Sequence, residues 1–218
     1  MPVKAVIFDL DGTLLDTLED LADSMNEALA SMGFPVHAVE RYRYFVGDGV
    51  QMLTERTLPE EHRTPDILAE VRVRYRAAYG RNWKSKSRPY DGILPALECL
   101  RQCGLPLAIL SNKPQQFTEL CMEHFFPNDL FYPIFGAREQ VERKPSPDGA
   151  LEIANLLGIQ PGEMAFIGDT LTDMRTAVAA GMRRIGVAWG FRPVEELLAN
   201  GAECIASHPR ELAGLLTD

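Results

Sequence analysis

Between Tyr90 and Ala199 the chain switches repeatedly between two apolar periods. Helical spacing runs over Leu94–Cys103, Pro114–Phe125, Asp148–Leu157, Leu171–Ala180 and Val194–Ala199. Strand-like runs stand between them at Leu105–Leu110, near Ile134-Phe135, at Ala165–Ile167 and at Ile185–Ala188. Parallel strands need a crossover, usually a helix, so this alternation predicts a parallel sheet wound on both sides by helices. An earlier run, Val3 to Phe8, reads as one more buried strand. After it the pattern is helical only. Leu18, Leu21, Met25, Leu29 and Met32 share one face before Gly33, and Val39–Val46, Val50–Thr57 and Pro65–Tyr79 follow, the last opened by Thr64 as a cap with proline in the first turn. The expected fold class is therefore α/β. A doubly wound, Rossmann-like parallel-sheet core, residues 1–15 and 85–218, carries an inserted all-helical cap domain, residues 16–84, with Asn82–Pro89 as the return linker.

The apolar strands end in polar residues of a particular kind, and open α/β sheets bind their ligands at those ends. The first strand stops at Asp9 and Asp11, which strand alternation points to the same side. Two carboxylates so placed repel, so a metal or a lysine is required nearby, or one carboxyl must stay protonated. The alternative is a plain Asp-x-Asp-Gly turn. The second strand leads into Ser111-Asn112-Lys113-Pro114, a hydroxyl and amides at a helix entrance, suited to a phosphate or simply to capping the helix. Prolines on both sides of Ser146 place Lys144 at the next helix, where it can neutralise the carboxylates, with Arg143 as a substitute in principle. The fourth end, Gly168-Asp169-Thr170, is followed by Asp173, and the spacing of four sets both acids on one side of the turn, as ligands or as acids favoured by a helix dipole.

Composition removes other classes. The 218 residues carry a net charge of −9, which disfavours nucleic acid and anionic membranes as partners. No apolar run approaches the roughly 20 residues of a membrane helix, and no signal-peptide core is visible, so a cytoplasmic protein is expected. The four cysteines, Cys99, Cys103, Cys121 and Cys204, form no Cys-x-x-Cys pair and are expected to be reduced and structural. The histidines are scattered.

Asp9-Leu10-Asp11-Gly12-Thr13, the hydroxyl at Ser111, Lys144 before its Pro-x-Pro turn and Gly168-Asp169-Thr170-x-x-Asp173 occur in the order found in the haloacid dehalogenase superfamily, which the chain resembles over nearly its whole length. The cap directly after the first motif is similar to that of the subgroup containing phosphoglycolate phosphatase, β-phosphoglucomutase and the dehalogenases. Ser111-Asn112-Lys113-Pro114, the turn Gly47-Asp48-Gly49 and the Trp189-Gly190-Phe191-Arg192 loop resemble the phosphoglycolate phosphatases in particular; serine replaces the usual threonine at 111 and keeps the hydroxyl.

The resemblance implies a Mg2+-dependent phosphomonoesterase. Asp9 is then the nucleophile that forms an aspartyl-phosphate, and Asp11 the acid and later the base. Metal ligation falls to Asp9, the main-chain carbonyl of Asp11 and Asp169, with Asp173 ordering that shell. Thr13, Ser111, Asn112, Lys113 and the Gly47, Asp48 and Gly49 turn are expected to bind substrate, and Lys144 to bind phosphoryl oxygens while screening the carboxylates. The expected partner is a small phosphorylated metabolite, best matched by 2-phosphoglycolate, acted on by a monomer or homodimer. Pyrophosphate, nucleoside monophosphates and sugar phosphates stay open, as does a phosphomutase. A dehalogenase needs no second acid, and a non-catalytic regulatory domain commonly loses one of the positions filled here.

Overall fold

The computed structural model describes residues 2–217, which divide into two compact units, 2–15 with 89–217 and Asp16–Arg88. In chain order, β1 (Ala5–Phe8) and the first half of β2 (Leu15–Asp16) precede the helical unit, which holds α1 (Leu18–Ser31), α2 (Tyr42–Phe45), α3 (Gly49–Thr57) and α4 (Pro65–Asn82). β3 (Arg88–Pro89) pairs with β2 at the two points where the chain passes between units. There follow α5 (Ile93–Gln102), β4 (Leu107–Pro114), α6 (Gln115–Phe125), β5 (Ile134–Ala137), α7 (Asp148–Leu157), β6 (Met164–Gly168), α8 (Leu171–Ala180), β7 (Arg183–Val187), α9 (Val194–Ala199), β8 (Cys204–Ala206) and α10 (Leu212–Thr217).

The main sheet is parallel throughout, in the order β5-β4-β1-β6-β7-β8. Ala5, Val6, Ile7 and Phe8 are fully buried, because β1 has strands on both edges and helices on both faces. The sheet face formed by Ala5, Ile7, Ala108, Leu110 and Phe166 packs on Ala150, Ile153 and Ala177 of α7 and α8. Strand order reverses around β1, where chain leaving β4 and chain leaving β6 turn to opposite sides. The carboxyl end of β1 therefore lies at the crevice where open α/β sheets bind their ligands.

In the helical unit, α1 packs along α4, burying Leu21, Met25 and Leu29 on one helix and Val71, Tyr75 and Ala78 on the other. The Thr64 hydroxyl accepts the Ile67 N–H at 3.4 Å, so the cap expected for α4 is formed. The expected helix at Val39–Val46 is a 3-10 turn, Val39–Arg41, followed by the single turn of α2. The return to the sheet falls at 88/89 rather than 84/85. Asp20, 1% exposed, holds the chain back to that point. It accepts the Lys86 N–H (3.0 Å), the Ser87 N–H (2.8 Å) and the Ser87 hydroxyl (2.7 Å), tying both residues to α1. Among the described residues no helix is long and apolar enough to cross a membrane.

Candidate active site

Asp9 follows the last residue of β1, and its N–H is bonded to the Ile167 carbonyl of β6 at 3.0 Å. Burial of the strand end carries the side chain with it, leaving Asp9 only 5% exposed. Lys144 reaches it from the segment before α7, with Nζ 2.8 Å from Asp9 Oδ1 and 2.6 Å from Asp173 Oδ1. The ammonium is aligned as a hydrogen-bond donor toward Asp173. Toward Asp9 it makes a buried ion pair.

Asp173 shows why the last strand end needed two acids. Its second oxygen accepts the N–H (3.0 Å) and hydroxyl (2.7 Å) of Thr170, completing a capping box at the start of α8. Asp169 is held differently. Thr13 donates its hydroxyl to Oδ1 at 2.8 Å and Phe191 its N–H to Oδ2 at 2.8 Å, while the Trp189 indole donates to the Thr13 carbonyl at 2.9 Å. A Cβ on Gly190 would lie 2.2 Å from Asp169 Cβ and 2.6 Å from the Gly12 carbonyl oxygen, so only glycine lets the loop come this close.

Asp11 takes a second lysine. Lys113 Nζ donates to Oδ1 at 2.8 Å and to Oδ2 at 3.0 Å. The cation required beside the paired carboxylates is thus supplied twice, Lys144 to Asp9 and Lys113 to Asp11. β4 also runs further than expected, through Pro114, with its pairing to β5 shifting register between Leu110 and Pro114. Ser111 consequently lies within the strand and does not cap α6; its hydroxyl accepts the Lys113 N–H at 3.3 Å. Asn112 donates to the Lys144 carbonyl at 3.0 Å, joining the two lysine-bearing segments.

Burial controls the electrostatics. It pushes the Asp9 carboxyl up to about 7, helped by the charge of Asp173 and opposed by Lys144. Asp169 is raised well above the usual carboxylate range, again by burial and then by Asp173 and Asp9, against the donors Phe191 and Thr13. For Lys144, burial alone would lower the value, but Asp173 and Asp9 outweigh it and hold the ammonium above the ordinary lysine range. Asp9, Asp169 and Asp173 each bring an oxygen within 4.8 Å of the others. Three buried carboxylates against one ammonium leave excess negative charge, so the residues present fit a hard divalent cation with oxygen ligands.

Of the residues expected to form a site, Asp9, Asp11, Thr13, Ser111, Asn112, Lys113, Lys144, Asp169 and Asp173 all belong to the sheet-bearing unit. Thr13, expected on the substrate, spends its hydroxyl on Asp169, and Lys113, expected on a substrate anion, is held on Asp11. The Trp189–Phe191 segment was expected to mark substrate type; its contacts brace Asp169 and the Thr13 loop. No local pattern announces that bracing, since Trp189 and Thr13 stand 176 positions apart and Phe191 and Asp169 22 apart. Gly47, Asp48 and Gly49 lie in the helical unit before and at the start of α3, where the Asp48 carboxylate pairs with Arg56 rather than capping its own helix. Among the described residues the cysteines are free thiols.

The profile of the haloacid dehalogenase-like hydrolases matches residues 6–187. A phosphoglycolate phosphatase of Thiobacillus denitrificans is 36% identical over 203 residues, covering 90% of this chain and 89% of that one. The N-acetylmuramic acid 6-phosphate phosphatase of Pseudomonas aeruginosa is 32% identical, covering 99% and 96%. The crystal structure of a provisionally named phosphoglycolate phosphatase from Lactobacillus delbrueckii superposes with a TM-score of 0.93 at 32% identity, covering 100% of this chain and 99% of that one.

Proposed function

The chain belongs to the haloacid dehalogenase-like hydrolases, and from that premise we propose that it is a Mg2+-dependent phosphomonoesterase working through a phosphorylated Asp9. The observation that carries this reading is the buried Asp9 carboxylate, held by Lys144 at 2.8 Å and facing Asp169 and Asp173 across less than 4.8 Å. A carboxylate so enclosed is shielded from water yet kept near a fixed cation, which suits attack on an anionic phosphoryl group.

Asp9 attacks phosphorus opposite the ester oxygen; the new bond joins its carboxylate oxygen to phosphorus, and the ester P–O bond breaks. Asp11 gives the departing alkoxide its proton. Water then attacks the same phosphorus, Asp11 takes its proton, and the P–O bond to Asp9 breaks to release phosphate. Lys144 and the Ser111 hydroxyl hold phosphoryl oxygens in both halves. Asp9, Asp169 and the Asp11 carbonyl would hold Mg2+, with Asp173 ordering that shell, and the ion would supply charge neutralisation.

For the substrate, 2-phosphoglycolate is the first choice, supported by the phosphoglycolate phosphatase of T. denitrificans at 36% identity and by the Ser111–Pro114 and Gly47–Gly49 strings. The turn of the helical unit is the proposed element of substrate choice. A sugar phosphate is the second reading, because the P. aeruginosa relative named for N-acetylmuramic acid 6-phosphate is almost as similar, at 32%. Phosphate release from 2-phosphoglycolate, N-acetylmuramic acid 6-phosphate, a nucleoside monophosphate and pyrophosphate, each with and without Mg2+, tests both levels. A kcat/KM for phosphoglycolate no higher than for the others rejects the substrate. Undiminished turnover after exhaustive chelation rejects the metal.

A further inference from the structure

We propose that Lys113 is a positioning residue for Asp11, fixing the carboxylate for the water-attack half of the reaction, an inference that rests on the phosphatase reading above. The lysine side chain is 3% exposed, whereas Asp11 is 18% exposed, so the ammonium is sealed in the protein and the carboxylate stands at the open side. Both Asp11 oxygens accept from the one Nζ, at 2.8 and 3.0 Å, which restrains rotation of the carboxylate about its own bond. The lysine backbone is restrained in turn. Its N–H donates to Ser111 Oγ at 3.3 Å, and its carbonyl accepts the Thr118 hydroxyl of α6 at 3.2 Å. These contacts lie where β4 shifts register between Leu110 and Pro114. A mobile surface lysine recruiting a substrate anion would need neither this burial nor this bracing.

Acid–base catalysis requires the acting oxygen within hydrogen-bond reach of its proton, and a displacement of about 1 Å can cost on the order of 10²-fold. The expected defect is specific because p-nitrophenolate leaves without protonation. An enzyme with misplaced Asp11 can still transfer phosphate to Asp9 from p-nitrophenyl phosphate, but hydrolyses the phospho-aspartate slowly.

Rapid-mixing assays of Lys113→Met with p-nitrophenyl phosphate and Mg2+ test this. The expected result is a burst of about one p-nitrophenolate per enzyme, a steady rate lower on the order of 10²-fold, and phosphorylated Asp9 in acid-quenched samples by mass spectrometry. Asp11→Asn should give the same burst, and Asp11→Asn/Lys113→Met should be no slower than Asp11→Asn alone. A loss confined to esters carrying a second carboxylate, seen as raised KM without a burst, would make Lys113 a substrate ligand and overturn the proposal. Losses that multiply in the double variant would overturn it too. Should Lys113→Met fail to fold, Lys113→Gln, shorter and neutral, takes the same assay with the same two outcomes. Wild-type protein inert toward every ester would instead reject the phosphatase reading itself.

Discussion

Lys144 Nζ lies 2.6 Å from Asp173 Oδ1, and the other oxygen of that same aspartate caps α8 through Thr170. The ammonium that faces Asp9 is therefore anchored to a helix start, so its position follows from the sheet-helix packing rather than from its own flexible stem. Lys144→Ala should abolish turnover and destabilise the fold, since removing one partner of a buried charge cluster typically costs about 3–5 kcal/mol. Lys144→Arg should restore stability in part and activity little, because a planar guanidinium does not fit a compact point-charge site. Denaturant unfolding read beside kcat separates the two effects; normal turnover in the Arg variant would contradict this geometry.

Asp9 and Asp11 should fail in different ways. Asp9→Asn keeps the size of the side chain but loses the proposed nucleophile, and should show no phosphorylated enzyme and no turnover. Asp11→Asn should retain slow turnover, down roughly 10²–10⁴-fold, with phospho-Asp9 accumulating when the substrate is p-nitrophenyl phosphate. Mass spectrometry after acid quench distinguishes them, and comparable activity in wild type and Asp9→Asn would exclude the covalent route.

The raised Asp9 carboxyl has a consequence for stability in chelator. Its value in the folded chain is about 7, against about 3.9 for an unfolded aspartate, so the folded state binds the proton more tightly. The stability from this group is full below the unfolded value and is lost as pH rises toward about 7. Wild type should therefore lose stability relative to Asp9→Asn between pH 4 and 7, and Mg2+ should restore more to wild type than to the variant at pH 8. Denaturant titrations in chelator with both proteins give the comparison; a pH-independent difference would show that Asp9 does not titrate in this window.

Gly190→Ala should damage catalysis although it removes none of the proposed metal ligands. The added methyl overlaps Asp169 and the Gly12 carbonyl, so either the loop or Asp169 must move, and metal affinity measured by calorimetry should fall together with thermal stability. Unchanged affinity would mean that the loop yields instead of the aspartate.

The turn of the helical unit carries the substrate prediction. Gly47 and Gly49 have φ of +115° and +86°, a region that β-branched residues avoid. Gly47→Val or Gly49→Val should reduce kcat/KM for 2-phosphoglycolate far more than for p-nitrophenyl phosphate, which needs only the chemistry of the sheet-bearing unit. Equal losses on both would make the turn purely structural.

Much of the sheet was legible because periodicity is local. α7, α8 and α9 fall on the residues that the apolar spacing marks, and β1 and β6 are recognisable because a strand covered on both faces must be apolar throughout. β8 and α10 left no such trace. β8 is three residues long at the sheet edge with two of them only half-buried, so nothing requires an apolar run there.

The kinds of residue in the site were likewise decided by the sequence alone: acids, a hydroxyl and a lysine at successive strand ends, in a fixed order. Which acid meets which cation was not. Lys144 goes to Asp9 and Asp173, Lys113 to Asp11, and Thr13 with Phe191 to Asp169. Those pairings depend on the shift in β4 and on the approach of Gly190 to Asp169, contacts between segments far apart in the chain. Local spacing sets which way a side chain leaves its own strand; only packing of neighbouring strands and loops sets what it meets, and inside a buried cluster that meeting determines where the charges and protons rest.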